Sequence, residues 1–266
     1  MKQNVLGICG REGVGKTTIA NILTGGPLHE FRHITSPVAY MSEILFGDVD
    51  GIWGMSKTMQ NELVRDIIKS NVDSDWFEKH PEGESYRVPY TTFSPEKQWI
   101  EFSMATPLKQ ICSLIFDIDY DILLAQTPEN RVIREQMSCK NDYNKLPNVP
   151  FNGRVCLEYF GTDVMRNMFD NDIWLKILQR NAAKAIVDGY RVVIPDIRFE
   201  NEMKMIDALN GTLFVVYRNV GELILTEDDK KTHPAKWHFL QYYPNSKNYE
   251  MFCNPGTMDA LVKLLD

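Results

Sequence analysis

The stretch Val5-Leu6-Gly7-Ile8-Cys9-Gly10-Arg11-Glu12-Gly13-Val14-Gly15-Lys16-Thr17 decides how this chain is read. Val5 to Cys9 is a short apolar run closed by a glycine, the pattern of a strand buried on both faces. Beyond Lys16 the apolar residues Ile19, Ile22 and Leu23 fall at helical spacing, and Gly25-Gly26-Pro27 stops the run. The residues between, Gly10 to Thr17, satisfy G-x-x-x-x-G-K-[ST] at every position.

The spacing has a chemical reason. Glycines let successive backbone N–H groups face one concavity that fits phosphate oxygens. Lys16 reaches the outer phosphates, Thr17 offers a hydroxyl to magnesium, and the helix points its N-terminus at the anion. The candidates for ATP are therefore Gly10, Arg11, Glu12, Gly13, Val14, Gly15, Lys16, Thr17 and Thr18. A chance glycine turn is the competing reading, but such a turn need not sit between a buried strand and a helix.

Further along, Arg191 to Asp196 and Thr212 to Tyr217 read as buried strands, with helices at Ile173 to Val187 and Glu200 to Leu209. This alternation predicts an α/β fold, a P-loop three-layer sandwich whose mostly parallel central sheet is flanked by helices. We read residues 1–266 as one domain with a lid-like insertion over 27–98. In that insertion Met41 to Phe46 and Met59 to Lys69 look helical and Asp73 to Pro95 irregular. Trp99 to Met104 reads as a strand, and Pro107 to Phe116 and Pro128 to Ser138 as helices. Asn141 to Gly153 is turn-rich. A helix over Arg154 to Phe160 is expected to break or kink at Gly161-Thr162. Residues 219–248 are polar and irregular, and Asp259 to Leu265 reads as a closing helix.

Composition narrows the class. A chain of 266 residues with 44% hydrophobic residues can bury a sizeable core. Its net charge of −7 argues against broad binding to nucleic-acid backbones. The five cysteines are scattered, with no C-x-x-C pair, and read as reduced thiols. No apolar run is long enough to span a membrane, and the first strand begins at Asn4, so a cytoplasmic protein is expected.

Asp196 ends a strand of the expected parallel sheet, at the edge where ligands of open α/β sheets bind. A carboxylate there can hold magnesium, directly or through water, or bind an acceptor hydroxyl. Arg198 follows, and Glu202 lies a helical turn beyond. A guanidinium suits the charge crowding of phosphoryl transfer. Alternatively, Asp196 caps the next helix and Arg198 pairs with Glu202 on its surface.

With these residues in view, the chain resembles the deoxynucleoside monophosphate kinases of large DNA bacteriophages and other DNA viruses. The blocks that carry the resemblance are the glycine loop, Ser103-Met104-Ala105-Thr106-Pro107-Leu108-Lys109, Arg154 through Gly161-Thr162-Asp163 and Arg166 to Trp174, and Val193 to Glu202. The resemblance implies transfer of the ATP γ-phosphate to a deoxynucleoside monophosphate, for DNA precursor synthesis, in the host cytoplasm if the protein is viral. It implies catalytic roles for Lys16, Asp196 and Arg198, magnesium at Thr17 and Asp196, and acceptor binding by Arg154, Asp163, Arg166, Trp174 and Glu202. Each has a plainer reading: the helical arginines as solvated side chains, Trp174 as core. Arg131 and Arg134 read as a lid or as a solvated face. The chain departs from the family at His233-Pro234-Ala235-Lys236-Trp237, where relatives tend to carry an acid in place of the lysine. The partners expected are ATP and a deoxynucleoside monophosphate, with no membrane or nucleic acid; a homodimer is one arrangement the sequence allows. Rival readings are another small-molecule kinase, of the nucleoside or dephospho-coenzyme A type, and a nucleic-acid-dependent ATPase.

Overall fold

A computed structural model describes residues 4–25, 29–47, 55–72, 75–91, 99–125, 127–137, 152–232, 236–257 and 260. The first elements are β1 (Val5–Cys9), α1 (Lys16–Thr24), β2 (His29–Ile34), α2 (Pro37–Phe46), α3 (Lys57–Asn71), α4 (Trp76–Lys79) and β3 (Tyr86–Thr91). Then come β4 (Trp99–Glu101), α5 (Ala105–Ile115), α6 (Tyr120–Leu124), α7 (Pro128–Gln136), α8 (Gly153–Glu158) and a π-helix at Tyr159–Arg166. The remainder is α9 (Ile173–Val187), β5 (Arg191–Ile197), α10 (Glu200–Ala208), β6 (Thr212–Tyr217), α11 (Glu227–Lys230), α12 (His238–Tyr242) and β7 (Tyr249–Cys253), with short 3₁₀ turns after β6 and α12.

The chain divides into two compact units. The first comprises residues 1–28, 93–103 and 178–266, and the second 29–92 and 104–177. The first unit holds a five-stranded sheet in the order β4-β5-β1-β6-β7, with every pair parallel. β1 lies at its centre and is buried along its whole length, which is why its sequence is a continuous apolar run. On one face Leu6, Ile8, Val193, Phe214 and Val216 pack with Ile19 and Ala20 of α1. On the other, Gly7 and Gly211 lie against Ile206 of α10. This is the expected three-layer α/β arrangement, with helices on both faces of a parallel sheet.

The second unit has its own core, in which Phe46, Ile68, Ile111, Leu123, Phe160, Met165 and Ile173 are fully buried. Each such side chain contributes about 1.5–3 kcal/mol by leaving water. Residues 29–92 thus share a core with 104–177.

Asp73 to Pro95 is more regular than its composition suggests. It contains α4 and β3, and β3 pairs antiparallel with β2 across a long separation, Phe31 opposite Pro89. A proline inside a charged, aromatic run argues against a strand locally; in a two-stranded sheet it sits on an edge, where the missing N–H is tolerated. Its carbonyl is used, accepting a hydrogen bond from the Tyr40 hydroxyl. Gly161-Thr162 neither breaks nor ends its helix. The backbone widens into the π-helix, and Asn167 N donates to Thr162 O, five residues back. β7 had no counterpart among the expected elements. Of the closing helix only Ala260, which is helical, is described, and residues 141–151 of the turn-rich connection lie outside the described residues.

Candidate active site

β1 delivers the glycine loop from the middle of the sheet. Gly10, Gly13 and Gly15 have φ of +147°, +80° and +98°, a backbone that side chains with a Cβ adopt with difficulty. Two of these positions are also crowded. A Cβ on Gly10 would collide with Val216 O, and one on Gly15 would lie 2.5 Å from Asn254 Nδ2. Val14 is driven into the sheet core and pins the bend. Gly15 is the N-cap of α1 and supplies no side-chain cap. The first-turn amides are therefore open to an anion, with the helix dipole behind them.

Lys16 curls over this loop. Its Nζ donates to Gly10 O at 2.8 Å and Arg11 O at 2.9 Å and lies 3.7 Å from Asp196 Oδ1. Burial lowers its pKa, with Asp196 opposing and Arg198 reinforcing the shift. The Thr17 side of the helix start is exposed and Glu12 points to solvent, while Thr18 is half-buried.

Asp196 reaches Lys16 through a distortion of β5. Gly7 pairs with Ile194 and Cys9 with Ile197, so Pro195 and Asp196 together oppose Ile8. This is a β-bulge in an interior strand, the one place where a proline without an N–H is accommodated there. Asp196 takes φ +71°, sparsely populated for a residue with a Cβ and of the kind that recurs at functional sites. Its carboxylate accepts a hydrogen bond from the Arg198 guanidinium. Burial would lower the Arg198 pKa; contact with Asp196 outweighs it and holds the value above the ordinary arginine one.

Glu202 is 3% exposed. Its Oε2 accepts from Arg198 N at 2.7 Å and Phe199 N at 3.1 Å. It caps the start of α10 and fixes the turn that carries Arg198. Of the two competing readings of Arg198, its guanidinium meets Asp196, and Glu202 meets the backbone instead.

The remaining candidates belong to the second unit. Arg154 is exposed and pairs with Glu158 at 3.1 Å and Glu135 at 3.6 Å. Asp163 and Arg166 lie on the π-helix; Asp163 is exposed and accepts weakly from Asn167 Nδ2, at 3.4 Å. The Nε of Arg166 is buried and has no hydrogen-bond partner among the described residues. Trp174 is 5% exposed and donates from Nε1 to Gly161 O at 3.0 Å. Packing and that hydrogen bond account for it without a ligand. Of the two arginines read as a lid or a solvated face, Arg131 is exposed, and Arg134 is partly covered, with 18% of its side chain exposed.

Two contributors to the loop escaped sequence reasoning. Asn254 is buried and donates from Nδ2 to Val14 O at 2.6 Å. Asp229 grips Arg11. Neither carries a local signal, because each acts on the loop from more than 200 residues away. His233 lies outside the described residues, and Lys236 is exposed.

Comparison with known proteins bears on the part of this site beyond the loop. Residues 113–234 match the family model for deoxynucleotide monophosphate kinase. The match takes in Arg154 to Trp174, Asp196, Arg198 and Glu202. The chain is also 29% identical over 155 residues to a protein of Acanthamoeba polyphaga mimivirus provisionally named a deoxynucleotide monophosphate kinase, covering 52% of this chain and 67% of that one. Both likenesses support a nucleotide kinase. No described helix is long and apolar enough to cross a membrane.

Proposed function

We propose that this protein transfers the γ-phosphate of ATP to a deoxynucleoside 5′-monophosphate, giving a deoxynucleoside diphosphate and ADP. The observation that carries the proposal is the convergence of Lys16, Asp196 and Arg198 beside the uncapped start of α1, with the bulge aiming Asp196 at Lys16.

In this reading the loop amides and Lys16 hold the ATP phosphates. Arg198, kept charged by Asp196, balances charge that builds up on the transferred group. Asp196 binds an acceptor hydroxyl or holds a metal-bound water, and Glu202 keeps Arg198 in place. Thr17 and Asp196 suit magnesium, which takes few protein ligands and keeps several waters. Among the described residues no cluster of three or more acidic, His or Cys ligands forms a dedicated metal cage. Bound magnesium would neutralise the β- and γ-phosphate oxygens. Arg154, Asp163 and Arg166 are assigned to the acceptor by resemblance.

A panel of acceptors with MgATP tests the reading. ADP should form with deoxynucleoside monophosphates and far more slowly with nucleosides, dephospho-coenzyme A or DNA. Turnover with one of those acceptors while the monophosphates stay inert would refute it.

A further inference from the structure

The glycine loop is tied at two points to the last quarter of the chain. At its first turn Arg11 uses all three nitrogens of its guanidinium. Nη1 and Nη2 donate to Asp229 at 2.5 and 2.9 Å, Nε donates to Glu222 O at 2.8 Å, and Nη2 also reaches Ile224 O at 3.1 Å. Asp229 is itself held, accepting from Thr226 N at 2.9 Å and Thr226 Oγ1 at 2.8 Å at the start of α11. At the second bend Asn254 donates to Val14 O at 2.6 Å; its own backbone N–H is tied to Tyr217 O and its Oδ1 accepts from Gly256 N.

Neither tie belongs to the phosphate-binding pattern. Arg11 stands where a loop cation could meet a phosphate, yet its donors are directed away, to Asp229 and two carbonyls. From this geometry we infer that Arg11, Asp229 and Asn254 are positioning residues, which hold the loop in its binding conformation before a nucleotide arrives. The inference rests on the nucleotide reading for its consequence and on the two ties for its mechanism. A loop with three positive-φ glycines has much backbone freedom to lose on binding. Ties formed in advance remove that cost from the binding step. The 222–229 segment thereby becomes a second determinant of nucleotide affinity, far from the motif in sequence.

The test compares Asp229→Asn, Asn254→Ala and Arg11→Lys with the unaltered chain. Amide exchange across residues 11–17 is measured without ligand, and MgATP affinity by calorimetry. Losing a charge-assisted or buried hydrogen bond should speed loop exchange and weaken MgATP binding about tenfold each in the first two variants. In Asp229→Asn and Asn254→Ala the turnover number at saturating ATP should stay close to that of the unaltered protein. Arg11→Lys keeps the charge without the two-pronged geometry and should fall between. Unchanged loop exchange in all three variants would overturn the inference. So would an increase spread evenly over the chain, the mark of general destabilisation. If the unaltered chain bound no MgATP, the nucleotide reading would fall, and loop exchange would still decide the ties.

Discussion

His80 should make the second unit more stable in mild acid than in mild alkali. The ring is buried at the end of α4 and stacks on Trp76 with centroids 4.3 Å apart. Its Nδ1 lies 3.0 Å from Trp76 O and its Nε2 3.0 Å from Asp117 Oδ1. Both partners are acceptors without a hydrogen to give. A neutral imidazole has one N–H and can serve only one of them, whereas the imidazolium serves both. Burial works against the charged ring, and Lys79 adds to that, but Asp117 and the Trp76 carbonyl outweigh them and the pKa is raised. Tyr86 packs beside the ring without charge. Stability from a raised pKa is complete below the unfolded-state value, near the ordinary 6.5, and fades as pH climbs through the folded-state value. Because Asp117 is 67% exposed, solvent screens the pair, and it is worth about 1 kcal/mol.

Asp117→Asn is the clean perturbation. Asp117 has φ +51°, which asparagine tolerates, so the backbone need not change. Urea unfolding should show the variant about 1 kcal/mol less stable below the histidine range, with the two curves converging at higher pH. Proton NMR of the five histidines, with His80→Gln to identify the resonance, should place the His80 titration above the ordinary value. A pH-independent loss of stability, or a His80 resonance titrating at or below the ordinary value, would refute the argument.

Other expectations concern the site. Lys16→Ala should lower kinase activity by several orders of magnitude while the chain still folds; near-normal turnover would remove it from the mechanism. Arg198→Ala should act mainly on the turnover number, measured at saturating ATP and acceptor, by roughly 10²–10³-fold. Glu202→Ala strips a buried carboxylate from two backbone N–H groups and should cost about 1–3 kcal/mol in chemical denaturation as well as slowing turnover. Gly15→Ala combines a positive φ with a Cβ pressed onto Asn254; it should abolish MgATP binding in calorimetry, and retained affinity would show that the loop can relax.

Elements set by local pattern were legible in advance. α9 spans Ile173–Val187 as its periodicity predicts, and β1, β5 and β6 lie where continuous apolar runs place them. β2 and β3 were not, because a two-stranded sheet of mixed, proline-bearing residues is stabilised by a partner more than 50 residues away rather than by its own alternation. The π-helix at Gly161-Thr162 was hidden for a related reason. Gly161 lies tight against Leu108, where a Cβ would come within 2.8 Å, and its carbonyl takes the Trp174 indole. Those contacts hold a helix that glycine alone would be expected to end.

The sequence by itself determined the class of the site. A strand, a glycine loop with Lys16 and Thr17, and an acid at the end of a second buried strand have chemical meaning from residue type and order alone. What only the tertiary structure decided is geometry and support. The bulge at Pro195 and Asp196, forced by a proline in an interior strand, turns the carboxylate toward Lys16 and Arg198. The grip of Asp229 and Asn254 on the loop exists because folding brings the last quarter of the chain beside the first strand, and a hydrogen bond across more than 200 residues leaves no periodicity to read.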